Sequence, residues 1–332
     1  MGRAKYPNFK KKHNGGSAEF TKSAFKWKNG AVFLAKCVEA LPIRWSRPLP
    51  EGCEPSTITV KLDRRSHWHV SLLVDNPNIQ PLPDCTKSVG LDVGISSLLV
   101  TSDGDKIANP KHFKRRYRKL KRVQKSLSRK KKGSNNRHKA RVKVARVHGK
   151  IADSRKDELH KLSTQLVHEN QTIVVEDLAV KNMVKRKVYG EALPPVKLCK
   201  KNHKLALSIS DAAWGELVRQ LDYKCKWYGR TLVKIDRWFP SSKRCGNCGH
   251  IVESLPLDIR EWDCQAVLAG ETYRDILAPK CGMHHDRDIN AARNLLAVGH
   301  TVAVCGANVR PNQHELKGQL RKTRERRKQK PK

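Results

Sequence analysis

Two apolar runs that carry an acid, and a third acid at the start of a helix, constrain this chain more than any other feature. Asp92 sits in VGLDVGISSLLVT, Glu176 in QTIVVEDL and Asp288 in HHDRDINAARN. QTIVVEDL is apolar on both faces, which predicts a strand buried inside a sheet. Around it the elements follow in a fixed order. KSVGLDVG and ISSLLVT read as strands, and DGDKIA as a short return strand after an Asp103-Gly104 turn. Two helical stretches, about 111–131 and 135–169, are split by Lys132-Gly133-Ser134-Asn135. After QTIVVEDL come a loop with Pro194-Pro195, an amphipathic helix near 210–228, the strand TLVKI at 231–235 and a helix from about Ile289. On the second helical stretch Val144, Val147, Ile151, Leu159, Leu162 and Leu166 form one apolar stripe.

Three strands, then helix–strand–helix–strand–helix, with acids on the first strand, the fourth strand and the last helix, is an α/β order of the ribonuclease H-like type. In that arrangement adjacent central strands set Asp92 and Glu176 side by side, and the last helix brings Asp288 across. Three carboxylates at one point repel unless a cation lies between them. Two Mg²⁺ ions roughly 4 Å apart would suit phosphodiester cleavage there. Each acid also has a plainer reading. Asp92 precedes Gly94 and could serve a turn, Glu176 could be a strand-end charge, and Asp288 could be a helix N-cap. Asp286 and Asp177 compete for the ligand roles.

The charge is lopsided, with 69 Lys and Arg against 31 Asp and Glu and a formal net charge of +38. That favours polyanionic partners and salt-dependent binding. Residues 111 to 150 hold nineteen Lys or Arg and no acid. Lys114, Arg115, Arg116, Arg118, Lys119, Lys121, Arg122, Lys125, Arg129 and Lys130 are the candidate nucleic-acid contacts, of the kind that position a backbone without reading bases. Residues 1–84 read as β-rich. Ile58, Val60 and Leu62 alternate with polar neighbours, as do Trp68, Val70, Leu72 and Val74, with a hairpin link at Arg64-Arg65-Ser66. No window approaches the ~18 apolar residues of a membrane span, and the start lacks a signal-peptide core, so an intracellular, soluble chain is expected.

Ten cysteines without such a signal argue for thiols or metal. Cys245-Gly-Asn-Cys248 is a metal knuckle, and Cys264 follows at the spacing of a zinc ribbon. Cys281 then follows Cys264 after sixteen residues rather than two, and removing 265–278 would restore Cys264-Pro-Lys-Cys281. The reading is a ribbon with an insertion at 265–278, holding Zn²⁺ through Cys245, Cys248, Cys264 and Cys281. The alternatives are that His250, His284 or His285 substitutes, or that no zinc binds.

These motifs together resemble the TnpB (OrfB) proteins of bacterial insertion sequences, relatives of the type V CRISPR effectors. The likeness rests on GLDVG, VVEDL, SSKRCGNCGH at 241–250 and CGMHHDRDINAARN at 281–294, with YPNFKKK at 6–12 and LPIRWSRPLP at 41–50 similar to the family's wedge region. The resemblance implies a RuvC nuclease domain (85–240 plus 286–300) carrying catalytic Asp92, Glu176 and Asp288. It further implies a zinc ribbon at 241–285, a partial β-barrel-like wedge domain at 1–84 and a basic tail at 301–332. It implies an RNA-guided, Mg²⁺-dependent DNA endonuclease of a mobile element, cytoplasmic and nucleoid-associated. Its partners would be target DNA and a guide RNA from the transposon end. Family members carry a recognition lobe before YPNFKKK, which this chain is expected to lack. A guide- or DNA-binding regulator without cleavage, or a decayed copy, is the alternative.

Overall fold

The computed structural model describes residues 16–75, 79–184, 203–266 and 281–305. YPNFKKK, the Pro194-Pro195 loop, most of the 265–278 insertion, Cys199 and all of the basic tail beyond residue 305 lie outside them; residues 301–305, expected in that tail, are helical. The chain divides into two compact units, Met1–Gln80 with Phe113–Ser154, and Pro81–His112 with Arg155–Lys332.

In the first unit, β1 (Ser17–Thr21), β4 (Pro55–Leu62) and β5 (Trp68–Val74) form an antiparallel sheet in the order β1-β4-β5. A separate hairpin pairs β2 (Phe25–Lys28) with β3 (Ala31–Leu34). The alternation in β4 and β5 puts Ile58, Val60, Val70 and Leu72 into one cluster with buried Phe25 and Val32. Among the described residues these strands do not close into a barrel. The β4–β5 turn is organised by Asp63, whose carboxylate accepts hydrogen bonds from the backbone N–H of Arg65 and His67. Helices α1 (His112–Ser128) and α2 (Asn135–Glu169) follow. Leu120 of α1 packs with Val147 and Ile151 of α2, supported by Phe113, Val123 and Val144. The link between the helices is capped from both sides. Ser134 Oγ accepts from Arg137 N, and Arg137 Nη1 donates to the carbonyls of Leu127 and Lys130.

The second unit is built on a five-stranded mixed sheet. Strands β6 (Ser88–Val93), β7 (Ser97–Thr101) and β8 (Lys106–Ala108) form an antiparallel meander. Next, β9 (Thr172–Glu176) pairs parallel to β6, and β10 (Thr231–Ile235) parallel to β9, giving the order β8-β7-β6-β9-β10. One face carries Val89, Leu91, Ile173 and Val175. They pack with Leu159, Leu162 and Leu166 of α2, Val180 and Val184 of the short α3 (Val180–Val184), Ile209 of α4 (His203–Ala212), and Leu217 and Leu221 of α5 (Trp214–Trp227). The single apolar stripe of α2 therefore serves two cores, with residues 144–151 in the first unit and 159–166 in the second. The other face is covered by α6 (Arg287–Cys305), whose Leu295 packs with Val174, Val233 and Ile235. Glycines permit this contact. A Cβ on Gly90 of β6 would lie 2.0 Å from the carbonyl oxygen of Ala292, and one on Gly299 would lie 2.3 Å from a methyl of Val174.

Candidate functional site

The close approach of α6 to β6 sets up the site. Asp92 is two residues beyond Gly90 on the same strand, so its side chain leaves the sheet on the face that α6 covers. On β9, Glu176 shares that face with Val174, which packs against α6. Parallel pairing of Leu91 with Val175 makes Asp92 and Glu176 level at the carboxyl end of neighbouring strands. Asp288 lies in the first turn of α6.

The electrostatics tie the three together. Burial pushes the Asp92 carboxyl up to about 7, and the charges of Asp288 and Glu176 add to it, while Arg287 and Arg260 oppose. Burial also pushes Glu176 up to about 7, opposed by Arg237 and reinforced by Asp177 and Asp236. Held without a counter-cation, such groups retain protons near neutrality.

The competing acids are engaged elsewhere. Asp286 Oδ1 accepts from the N–H groups of Asp288 and Ile289, each at 3.1 Å, so Asp286 caps α6 rather than Asp288. Its other oxygen is held by Lys106. Asp177 forms an ion pair with Arg237 at 2.7 Å. Asp288 meets Arg260 Nη1 at 3.2 Å, a contact that sequence spacing did not suggest. Arg260 is held in place because its carbonyl accepts from Arg287 N, and the Arg287 guanidinium donates to the carbonyls of Pro256 and Ile259.

Beside the acids lies the cysteine cluster. Among the described residues, two sets of side chains bring donor atoms within 4.8 Å of one another: Cys245, Cys248, Cys264 and Cys281, and separately Asp63, His67 and His69. The three carboxylates do not close to that distance. In the second set the Arg65 guanidinium already occupies Asp63, which disfavours a metal cation there. The four thiols converge although Cys264 and Cys281 are far apart in sequence, because a hairpin joins them. Strand β11 (Glu261–Asp263) pairs with β12 (His284–Asp286). Beyond it, Cys264 N donates to Met283 O, Gly282 N to Cys264 O and Cys281 N to Ala266 O. The ends of the insertion are thus pinched together. Sγ separations are 3.8 Å for Cys245–Cys281 and 3.6 Å for Cys248–Cys264. The Asn247 side chain lowers Cys281 to about 6, while burial raises Cys264. Of the three histidines, His284 is paired with Asp263 at 2.7 Å, and His285 Nε2 lies 3.0 Å from Cys245 Sγ, stacked against Trp262.

Two residues that sequence reasoning missed join the cluster to the acids. Asn290 and Asn294 lie one turn apart on α6. Asn290 donates to Arg244 O and accepts from Gly246 N, and Asn294 donates to the carbonyls of Ser241 and Arg244. A buried Asn pair at i, i+4 in an apolar helix was the available signal. The basic candidates lie on or just after α1. All but Arg116 are exposed, and among the described residues no acid forms an ion pair with any of the ten. No helix of the described residues is long and apolar enough to cross a membrane.

Comparison with known proteins places this arrangement. Residues 71–187 match the OrfB_IS605 family, described as "Probable transposase", and residues 214–295 match the Cas12f1-like TNB domain. A protein of Streptomyces pristinaespiralis named "Putative RNA-guided DNA endonuclease" is 53% identical over 310 residues, covering 93% of this chain and 69% of the relative. InsQ of Escherichia coli K12, with the same description, is 32% identical over 308 residues, covering 92% and 72%. A solved Cas12f1 chain, in a complex with sgRNA and target DNA, overlays with a TM-score of 0.45 at 21% identity, covering 73% of this chain and 45% of that one. With two relatives above 30% identity matched over more than two thirds of their length, the chain belongs to the TnpB (OrfB) family.

Proposed function

We propose that this chain is an RNA-guided, Mg²⁺-dependent DNA endonuclease of a mobile element, with Asp92, Glu176 and Asp288 as its catalytic, metal-holding carboxylates. The observation that carries the reading is the pair Asp92 and Glu176, level on adjacent parallel strands and facing the first turn of α6, with both carboxyls pushed up to about 7. Hard oxygen donors fit Mg²⁺. Asp92 would contribute to both metal sites, with Glu176 and Asp288 each completing one. Bound there, the ions would supply an activated water and stabilise the departing 3′ oxygen. The protein's own contribution is to hold three like charges on a rigid strand–helix frame and to place Arg260 beside Asp288.

In this reading the mixed sheet with its helices is a RuvC-type, ribonuclease H-like domain, and the cysteine hairpin is a zinc ribbon set before the last acid. The N-terminal strands form a wedge-type β-domain. Four thiols within 4.8 Å fit Zn²⁺, and Cys245, Cys248, Cys264 and Cys281 would hold it as a structural ion. The unpaired cations of α1 suit the backbone of a guide–target duplex. The names of the relatives support guide RNA and DNA as partners. The test is cleavage of a matched DNA by protein loaded with its guide in Mg²⁺. Asp92→Ala should abolish it while guide binding persists, and equal cutting by both proteins would sink the catalytic assignment. Metal analysis should return about one zinc per chain, and less than half an equivalent would refute the ribbon ligands.

A further inference from the structure

We propose that Trp238 is a stacking platform for a nucleobase of single-stranded nucleic acid lying beside the carboxylates. The inference deepens the nuclease reading and rests on it. Trp238 belongs to the turn that leaves β10. That turn starts one residue after Ile235, which pairs with Glu176 across the sheet, so it rises at the edge where the acids lie. The indole is 71% exposed. Its backbone is not loose. Trp238 N donates to Asp236 Oδ1 at 2.8 Å, Phe239 N donates to Asp236 O at 3.0 Å, and the Phe239 side chain packs on the Val233–Ile235–Leu295 cluster. The turn is therefore pinned on both sides of a large apolar ring that it holds out to solvent.

Other exposed indoles have evident partners or lie elsewhere. Trp227 stacks edge-on against Tyr223 at 4.7 Å, Trp45 against Trp27 at 5.7 Å with its N–H on Gly30 O, and Trp68 lies in the first unit. Trp238 alone of these four stands at the carboxyl end of the parallel strands, where open α/β sheets bind ligands. Its surroundings suit a nucleic acid rather than an apolar protein surface. Arg237 is the preceding residue, with its guanidinium on Asp177. Arg260 faces the third acid. Cations that track a backbone together with an aromatic face that accepts any base make a sequence-tolerant single-strand site. A base held there would fix which phosphodiester bond sits over Asp92 and Glu176.

The experiment uses the full chain in EDTA and a short oligodeoxynucleotide series carrying one 2-aminopurine, which is quenched when it stacks on indole. The parent should bind and quench strongly at one or two adjacent positions. Trp238→Ala should weaken binding about ten-fold and abolish the positional quenching, with an unchanged melting temperature. Trp238→Phe should keep most of the affinity, and Trp238→Leu should not. The Trp238→Ala deficit should also stay constant between low and high salt, because stacking, unlike phosphate contact, releases no counterions. Parent-like binding and quenching by Trp238→Ala, or equal affinity for the Leu and Phe variants, would overturn the stacking role and leave the nuclease reading standing. A parent that binds no single strand would overturn both.

Discussion

At the scale of single residues, the site is defined as much by what occupies its neighbours as by the three acids. Asp286 caps α6 and Asp177 is tied to Arg237, which leaves Asp288 and Glu176 to face Asp92. Metal-free, this is an unfavourable cluster, and its pH dependence has a definite sign. Asp92 and Glu176 titrate at about 7 in the folded chain, against 3.8 and 4.5 without it. The folded state keeps protons that the unfolded state has released, so these groups' contribution is fully present below about pH 4 and is lost as pH rises through 7. Thermal denaturation in EDTA should therefore show Asp92→Asn gaining on the parent from pH 5 to pH 8. At pH 8 the gain should be about 2–4 °C in Tm, the equivalent of about 1 kcal/mol. A gain that shrinks as pH rises would contradict the assignment. Glu216 behaves oppositely: Arg219 lowers it to about 2, and its stabilisation is lost only in acid. Comparing variant with parent removes that background. The mutual repulsion of the acids was legible in the sequence, but their cation partners were not, because Lys106 and Asp286 are 180 positions apart and a cation near an acid in space leaves no trace in spacing. The acids themselves were legible, since an Asp or Glu closing a run of buried aliphatics is an unusual place for a charge.

At the scale of elements, periodicity revealed the strands and helices, and packing decided what they were for. The α2 stripe reads as one apolar face, yet it divides between two cores, a division that no helical period records. GLDVG shows a glycine in a buried strand, and its reason lies in α6, whose Ala292 carbonyl sits where a Cβ would go. Gly90→Ala should cost about 3 kcal/mol, because backbone rather than a mobile side chain must shift. It should also weaken Mg²⁺ binding by displacing Asp288, measured by calorimetry; an unaffected affinity would detach α6 from the site. Asn294→Ala leaves the carbonyl of Ser241 without its side-chain donor while Arg244 O keeps Asn290, a loss of about 1–3 kcal/mol in thermal unfolding. The cysteine cluster defeats spacing rules because a hairpin, not a two-residue gap, sets Cys264 against Cys281. Replacing 267–280 with a short glycine turn should keep one zinc per chain. Loss of the metal would show that the insertion itself holds the sulfurs together.

At the scale of the whole molecule, half of the net charge of +38 falls in residues 111–150, where nineteen cations meet no acid in the sequence. Binding to a duplex should weaken steeply between 50 and 200 mM salt. Converting Lys114, Arg115, Arg118 and Lys119 to Gln should flatten the log–log slope by as much as about 3 units, with little change in melting temperature. An unchanged slope would move the nucleic-acid path away from α1.

The close fit of α6 over Gly90 and Val174 also sets an order in time. A ribosome releases β6 and β9 before α6, so from residue 176 to residue 287 the growing chain owns two of the three acids. The third arrives only with residue 288, and Asn290 and Asn294 behind it then fasten α6 to Ser241, Arg244 and Gly246 around the first cysteine. Whatever chemistry the trio performs stays locked until α6 closes, and a chain terminated before residue 288 has no complete set of acids to misuse.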